Sequence, residues 1–446
     1  MNERIQLSDH FSMGRLLRFT MPTIGTMVFM SVYSVVDGFF VSNFAGKTCF
    51  SAVNLIFPFI MILQTVGLMF GTGGSALVAK TFGEGDNERG NEYFSLFVYV
   101  VAALGIFFAV LGFVFMRPIA SFLGGEGELL DNAVLYGRML MISLPFCVLS
   151  MVFQSFYATA EMPNLGLRVT LLSGCTNIVL DAVLVTTLPQ AYKLAGAALA
   201  TVISQILSGS VPLVYFSRKN PSILRLGRAH FDAKAVLKAA TNGSSEFMSN
   251  ISMNLVSMLY NHQLLRYAGQ DGIAAYGVMM YVSTIFSAAF VGYSIGNAPV
   301  IGYHYGAQNY DELKSLRKTG FTLIGTFGVV MLAAAEALAA PLSKFFVGYD
   351  AELCALTVSG FRIFSLSFLF MGFAIYSSGF FTALNDGLTS ALISFLRTLV
   401  FQMAAVLLLP QIFGIQGIWY SIVVAEVMAV LLSLGFLIGK QKKYHY

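Results

Sequence analysis

Long apolar runs, separated by short polar or Gly/Pro-containing segments, make up most of the chain. Several runs reach the ~20 residues that a helix needs to cross a bilayer. The pattern predicts an all-α polytopic membrane protein with twelve transmembrane helices, at approximately 16–42, 51–80, 93–116, 129–159, 163–187, 194–216, 239–264, 273–303, 319–340, 353–384, 388–410 and 414–438. The runs at 129–159 and 353–384 exceed what a bilayer requires, which indicates tilt or protrusion.

The composition agrees with this pattern. Of 446 residues, 57% are hydrophobic and only 11% are charged, whereas soluble domains carry about 25% charged residues. The cysteines are Cys49, Cys147, Cys175 and Cys354. They form no C-x-x-C pair, so neither a zinc site nor a disulfide framework is indicated, and we expect no cofactor. The apolar run after Arg15 and Arg18 is too long for a cleavable signal peptide, so it is expected to remain as the first span.

Lysine and arginine are distributed unevenly between the polar segments. If the N-terminus is cytoplasmic, the same side holds the basic loop RKNPSILRLGRAHFDAKAVLK and the tail KQKK. The opposite side then receives few basic residues, namely Lys47, Arg117, Lys193, Arg266 and Lys344. Because cytoplasmic loops carry the excess of positive charge, we predict that both termini lie on the cytoplasmic side of the cell membrane.

The two halves of the chain resemble each other. A shift of 223 residues places FAGKTCFSAVN (44–54) on YAGQDGIAAYG (267–277) without a gap, and Gly73 on Gly296. This repeat predicts two six-helix bundles related by a pseudo-two-fold axis along the membrane normal, a common transporter plan with a cavity between the halves. The predicted parts are an N-lobe, a C-lobe and a cytoplasmic linker, comprising residues 1–217, 235–446 and 218–234, respectively.

Two aspartates lie inside predicted membrane helices. Asp37 is in the outward half of the first helix, and Asp181 is in the outward half of the fifth, which runs in the same direction. Asn177 precedes Asp181 by four residues and therefore shares its helix face. Thr201, in the sixth helix, reaches a similar depth. An ionisable residue inside a membrane helix is costly unless it is paired or hydrated, so these positions indicate function.

These four side chains predict a site for a coupling ion. Burial and repulsion between like charges favour the protonated form of paired carboxylates, so Asp37 and Asp181 can hold a proton near neutral pH. The same oxygens can instead coordinate Na⁺, and no other metal ion is indicated. The alternative is structural: each aspartate hydrogen-bonds a neighbouring helix, and Asn177 and Thr201 hold helices together.

The predicted C-lobe has different buried charges. Glu246 lies in the inner part of the seventh predicted helix without an evident partner, so a cation-binding, substrate-binding or structural role stays open. Arg397 and Glu426, in the last two predicted helices, are expected to neutralise each other as a structural pair. In the first helix, Pro22 removes a backbone hydrogen bond, which makes it a candidate for bending and gating.

Four segments together resemble the MATE (multidrug and toxic compound extrusion) transporters: MP…VYSVVDGFFVSNFAG, GTGGSALVAKTFGEGD, NIVLDAVLV and LAGAALATVISQ. The resemblance covers nearly the whole chain and implies a two-lobed cation antiporter that exports drugs and other organic, often cationic, compounds. In one branch of the family, coupling is attributed to aspartates of the first and fifth helices, with Asn and Thr nearby. Those positions match Asp37, Asp181, Asn177 and Thr201.

The resemblance is less complete in the C-lobe. Another branch of the family uses acidic residues in the seventh and tenth helices. Glu246 could represent the first of these, but the tenth predicted helix offers only Glu352, at its outer edge. A second ion site in the C-lobe is therefore not expected from the resemblance.

Two other functions are compatible with a polytopic membrane chain. A flippase for lipid-linked saccharides belongs to the same superfamily, but it would be expected to carry more basic residues facing its cavity and often extra helices. An integral-membrane enzyme is a second alternative, although the chain has no H-E-x-x-H or G-x-S-x-G motif. We expect a monomer that contacts small-molecule substrates and membrane lipid, and no nucleic acid.

Overall fold

The computed structural model describes residues 5–40 and 44–446. Within them the chain forms helices joined by short connections, without a strand. The helices are α1 (Met13–Phe40), α2 (Lys47–Gly83), α3 (Asn87–Phe122), α4 (Gly127–Thr159), α5 (Pro163–Thr187), α6 (Lys193–Ser217), α7 (Ala233–Asn242), α8 (Ser244–Gly306), α9 (Tyr310–Val347), α10 (Ala351–Ser365), α11 (Ser367–Ala383), α12 (Gly387–Phe395), α13 (Gln402–Phe413) and α14 (Ile415–Tyr444). A π-helical segment (Leu396–Phe401) joins α12 to α13.

Most of these helices are long enough to cross a membrane. In the described residues, nine helices have the necessary length and apolar character, with α12, the π-helical segment and α13 counted as one helix. The count is ten if α10 and α11, which are bent by 43° relative to each other, form one span. The 63-residue α8 contains both the seventh and the eighth predicted spans, which meet at Gly269, where a φ of 63° interrupts the helix. The prediction of an all-α polytopic membrane protein is confirmed, whereas the count of twelve crossings stays a prediction.

Two predicted helices are divided in the structure. The seventh predicted span begins at residue 239, but Gly243 ends α7 and separates it from α8. Asp232 caps the start of this short amphipathic helix by accepting from the backbone N–H of Lys234 at 2.9 Å. The tenth predicted span breaks at Leu366, between α10 and α11. That break left no signal because the apolar pattern continues across it.

The two halves turn at equivalent points. A positive φ is rare for residues with a side chain and easy for glycine. Residues with a positive φ occur in pairs that are 223 or 224 positions apart in the chain: Gly46 with Gly269, Gly85 with Gln308, and Glu161 with Asn385. This recurrence supports the internal repeat, while the division into lobes at residues 217 and 235 stays a prediction.

Two large hydrophobic cores form the interior. The first residues of each half pack into the core of the other half. One core is built by residues within 52–239 and the other mainly by residues within 256–446. Phe11 and Phe19, from the beginning of the chain, pack in the second core. Conversely, Ala239 of α7 packs in the first core. The two halves are therefore interlocked at the starts of their first helices.

The helices α2 and α8 cross with their backbones in contact. A methyl group on Gly83 would overlap the carbonyl oxygen of Tyr303, and one on Gly306 would overlap that of Lys80. Gly83 and Gly306 are separated by 223 residues and so occupy equivalent positions in the two halves. The lack of a side chain at both positions lets the halves approach as closely as two helices can.

The segment that precedes α1 bridges the two halves. The backbone N–H of Leu7 donates to Glu161 Oε1 at 2.8 Å, and that of Phe11 donates to Glu312 Oε1 at 2.8 Å. His10 Nδ1 lies 2.6 Å from Glu312 Oε2. Because Glu161 lies in the turn between α4 and α5 and Glu312 in the first turn of α9, the segment ties these two turns together.

A polar cluster joins the end of α14 to the turn between α11 and α12. Lys440 Nζ donates to Asp386 Oδ2 at 2.6 Å, and the Tyr444 hydroxyl donates to the same oxygen at 2.8 Å. The Thr389 hydroxyl also donates to it, at 2.8 Å. Burial by itself would raise the pKa of the Asp386 carboxyl, but the hydrogen bonds from these three residues hold that pKa below its usual value.

Replacing Asp386 by Asn is expected to lower the free energy of unfolding by about 1–3 kcal/mol, because Lys440 then loses its buried partner. The folded-state pKa is the lower one, so the stabilisation is present above the unfolded-state value of about 4 and is lost as the pH falls through the folded-state pKa. The measurement is the melting temperature of the purified protein in detergent. The gap between wild type and Asp386→Asn should shrink as the pH drops below about 4.

Asp311→Asn is the matched control. Asp311 is fully exposed and lies 3.8 Å from Lys314, so its removal should change the melting temperature very little. Equal losses in the two variants at neutral pH, or a gap for Asp386→Asn that does not depend on pH, would contradict the role given to the buried cluster.

Candidate functional site

A cavity of about 270 Å³ lies inside the first half of the molecule, between α1, α2, α4, α5 and α6. Its wall combines apolar side chains, such as Phe57 and Met61, with many polar ones. The polar lining residues are Tyr33, Ser34, Asp37, Gln64, Tyr136, Ser150, Gln154, Thr170, Ser173, Asn177, Thr201, Ser204, Gln205 and Ser208. Apolar walls with a few convergent polar groups are typical of small-molecule sites.

The structure brings the predicted coupling residues together. Asp37 on α1, Asn177 on α5 and Thr201 on α6 all line this cavity. Asp181, one turn after Asn177 on α5, is fully buried. These helices are neighbours, since α5 packs against both α1 and α6. The residues thus converge as the sequence pattern indicated, while their role in coupling stays a prediction.

The side chains of Asp37 and Asp181 are neighbours across the contact between α1 and α5. Two ionised carboxylates cannot hydrogen-bond each other, because neither has a donor hydrogen; such a bond forms only when one of them carries a proton. In the described part of the chain, no donor reaches either oxygen of Asp181, Oδ1 of Asp37 or Oδ1 of Asn177. Buried polar atoms are normally satisfied, so these four oxygens are available to a proton or to a cation.

Two tyrosines that the sequence pattern did not single out border the aspartates. Tyr33 precedes Asp37 by one turn of α1, and Tyr136, on α4, lines the same cavity as Asp37 and Thr201. Both side chains therefore share the wall of the cavity with Asp37. The spacing of four between Tyr33 and Asp37 was a readable signal. Tyr136 had none, because its distance from the aspartates depends on how α4 packs.

Glu246 lies apart from this cavity, at the start of α8. It borders a second, much smaller cavity of about 20 Å³ between the two halves. The hydroxyls that line it come from both halves: Thr72, Ser75 and Ser155 from the first, and Ser294 and Thr382 from the second. No charged partner of Glu246 is present among the residues that the structure describes. The polar groups around the Glu246 carboxylate are therefore the hydroxyl groups that line this cavity.

Pro22 lies within a continuous α1. A proline there leaves the carbonyl oxygen of Arg18 without its usual backbone donor. The hydroxyl of Thr26 donates to the carbonyl oxygen of Pro22 at 2.8 Å, so the next turn is reinforced by a side chain. The bending role predicted for Pro22 stays a prediction.

The expected pairing of Arg397 with Glu426 is confirmed. Arg397 Nε donates to Glu426 Oε2 at 2.8 Å, and Arg397 Nη2 donates to Glu426 Oε1 at 2.8 Å. This two-bond geometry is the strong arrangement for an arginine and a carboxylate. Elsewhere in the described residues, no group of three or more His, Cys, Asp or Glu side chains could hold a metal ion.

Comparison with known proteins connects this architecture to one family. The family model described as MatE matches residues 22–183 and, a second time, residues 247–407. A multidrug export protein MepA of Staphylococcus haemolyticus is 24% identical over 420 residues, which are 94% of this chain and 92% of that protein. The MepA protein of a Staphylococcus aureus strain is likewise 24% identical over 421 residues, with the same coverage.

Solved structures show the same fold. A MATE protein in complex with MaL6 superposes with a TM-score of 0.91 at 20% identity, over 99% of this chain and 98% of that chain. An outward-facing multidrug resistance MATE family transporter of the MOP superfamily also gives 0.91, at 21% identity and with the same coverage. The resemblance indicated by the sequence segments is thereby confirmed, and the two matches of the family model fall one in each half of the chain.

The cavity predicts a contrast in chemical labelling between two positions of α5. In a background without the natural cysteines, Ser173→Cys should react with a charged, water-soluble thiol reagent, because Ser173 lines the cavity. Val179→Cys should not, because Val179 is 60% exposed on the outer surface of a membrane helix, where lipid covers it. Mass spectrometry of the labelled protein reports the extent of reaction. Equal labelling at both positions would show that the cavity is not a separate aqueous space.

Proposed function

Because this chain belongs to the MatE family, we propose that it is a cation-coupled antiporter that exports drugs and other organic, often cationic, compounds across the cytoplasmic membrane. The chain is a transporter and not an enzyme, because it belongs to the MatE family and its MepA relatives are named multidrug export proteins. No observation favours the lipid-linked saccharide flippase. The coupling ion is proposed to be H⁺ or Na⁺.

The observation that carries the coupling site is the group of unsatisfied oxygens around Asp37 and Asp181. A proton on one carboxyl would make the missing hydrogen bond to the other and remove the repulsion between two charges. A sodium ion would instead be coordinated by these oxygens, with Asn177 and Thr201 as neutral neighbours. Both ions satisfy the same requirement, so the residues support either one.

Binding of the ion would act through the contact between α1 and α5. Without it, two facing carboxylates repel each other and disfavour close packing of these helices. With it, the helices can pack tightly, which would reshape the cavity and release substrate outward. Pro22 would give α1 a place to bend. The cycle turns only if ion and substrate prefer opposite conformations, because a ligand that binds both equally shifts nothing.

The topology belongs to the same proposal. Both termini are placed in the cytoplasm, with the N-lobe (1–217) and the C-lobe (235–446) joined by a cytoplasmic linker (218–234). The distribution of lysine and arginine supports this orientation. The recurring turns support the two-fold plan. The working unit is proposed to be a monomer surrounded by lipid.

Asp37→Asn and Asp181→Asn are each expected to abolish transport against a gradient while leaving substrate binding in place. Asparagine resembles the protonated carboxyl in shape and charge, so the exchange of the ion is lost and the cavity remains. The measurement is accumulation of a fluorescent cationic dye in proteoliposomes under an imposed H⁺ or Na⁺ gradient. Binding of the same dye to the purified variants is followed by fluorescence polarisation.

Thermal stability separates coupling from structure in these variants. If the aspartates only hold helices together, the melting temperature should fall in step with transport. Ser34→Ala, which changes another cavity-lining residue of α1, is the control and should keep gradient-driven transport. Accumulation at wild-type rates in Asp37→Asn or Asp181→Asn would remove that residue from the coupling site.

Glu246→Gln is expected to reduce export of cationic substrates more than export of neutral or zwitterionic ones. A carboxylate in a poorly hydrated cavity between the halves attracts cations strongly. Export rates of one cationic and one neutral dye from the same proteoliposomes provide the comparison. Equal losses for both dyes, at unchanged protein level, would assign Glu246 to coupling or structure instead of substrate selection.

A further inference from the structure

The second half of the molecule has a polar centre at positions equivalent to the cavity wall of the first half. A shift of 223 residues places Asp37 on Tyr260. The same shift aligns Gly46 with Gly269, the positive-φ residues that follow these two positions. Tyr260 of α8 is therefore the counterpart in sequence of Asp37 in α1.

The equivalence continues in the next pair of helices. A shift of 224 aligns the sequences at Glu161 and Asn385, two positive-φ residues that lie just before α5 and α12, respectively. The same shift places Ser173 on Arg397. Arg397 lies in the π-helical segment Leu396–Phe401, a rare conformation that is frequent at functional positions.

The last helices of each half complete the comparison. Gly196 of α6 and Gly417 of α14 both pack against the end of the preceding helix, and a shift of 221 superposes them. At this register Gln205 falls on Glu426. Three helices of one half therefore match three helices of the other at turns or contacts that the structure shows.

The two halves fill these equivalent positions differently. In the first half, Asp37, Ser173 and Gln205 border the open cavity. In the second half, the guanidinium of Arg397 binds Glu426 through two hydrogen bonds of 2.8 Å. The side chain of Glu426 is 0% exposed and that of Arg397 is 14% exposed.

Tyr260 belongs to the same buried centre. Its side chain is 1% exposed, and α8 packs against both the π-helical segment that carries Arg397 and α14, which carries Glu426. Its hydroxyl has no hydrogen-bond partner among the described residues, as is true of Oδ1 of Asp37. A polar centre thus exists in both halves. Among the described residues, a positive side chain lies within that of the second half, whereas none lines the cavity of the first half.

We propose that Arg397 is a built-in cation that permanently occupies the C-lobe counterpart of the N-lobe cavity wall, beside the position equivalent to Asp37. The guanidinium neutralises Glu426 as a mobile cation would, but it is covalently attached and cannot leave. This inference rests on the proposed coupling role of Asp37 and Asp181. It explains how a duplicated fold can exchange an ion in one half and hold a fixed charge in the other.

The test removes the fixed cation and asks whether Glu426 becomes an ion site. Dicyclohexylcarbodiimide adds to protonated carboxyl groups in apolar surroundings, and peptide mass spectrometry locates the adduct. Glu426 should be unlabelled in the wild type and in Arg397→Lys, which keeps the charge. It should be labelled in Arg397→Ala, where the carboxyl must take up a proton. Guanidinium chloride at a concentration that does not denature should suppress this labelling, whereas NaCl at equal ionic strength is the control for screening.

Two outcomes would overturn the proposal. The first is an unlabelled Glu426 in Arg397→Ala, or labelling that guanidinium leaves unchanged relative to NaCl. The second comes from Arg397→Met/Glu426→Gln, which removes both charges and avoids the instability of a single unpaired charge. This double variant should keep gradient-driven dye transport with the ion dependence of the wild type. Loss of that transport in a folded, monodisperse protein would show that the pair takes part in ion exchange.

The result is separable from that of the proposed function. Labelling of Glu426 is measured on purified protein and does not require transport. If Asp37→Asn and Asp181→Asn keep coupled transport, the N-lobe site is wrong whatever happens at Glu426. If those variants lose coupling but Arg397→Ala leaves Glu426 unlabelled, only the idea of a fixed cation is wrong.

Discussion

A carboxylate buried among membrane helices needs a proton, a cation or a counter-charge, and this requirement shapes both halves of the molecule. Removing such a group from water costs several kcal/mol after relaxation. In the first half, Asp37 and Asp181 face each other with oxygens that no described donor satisfies. In the second half, Glu426 is satisfied by Arg397 through two hydrogen bonds. In the proposed mechanism the first half exchanges the ion that neutralises its carboxyl groups, whereas Glu426 of the second half is neutralised by the side chain of Arg397.

The contact between the halves places a second constraint on any change of conformation. The start of the chain packs in the second core, and α7 packs in the first. Gly83 and Gly306 bring α2 and α8 into backbone contact, and the segment before α1 ties Glu161 to Glu312. These contacts lie at the end of the molecule where the first and last described residues are found. A change in the packing of α1 with α5 can thus reach the contact between the halves, because α1 belongs to both.

The candidate site was partly readable from the sequence. Asp37, Asp181, Asn177 and Thr201 could be recognised because polar residues are conspicuous in apolar helices, and helical periodicity placed two of them on one face. Asp37, Asn177 and Thr201 line one cavity, and Asp181 is buried one turn beyond Asn177 on α5, which agrees with that prediction. Tyr136 could not be found in this way, since α4 is far away in sequence and its rotation decides which side chains meet the aspartates. Glu246 was visible, but its hydroxyl-lined surroundings come from helices of both halves.

The sequence by itself determined the helical membrane architecture, the internal repeat, the family and the pairing of Arg397 with Glu426. Each follows from local rules: the length of apolar runs, the spacing of similar segments and the cost of an unpaired charge in lipid. Only the tertiary structure decided that Gly243 and Leu366 divide predicted helices. The same is true of the packing by which the first residues of each half become part of the hydrophobic core of the other half. The tertiary structure also decided that Tyr136 of α4 lines the same cavity as Asp37. Those features depend on contacts between residues far apart in the chain, and hydrophobic periodicity carries no record of which helix faces which.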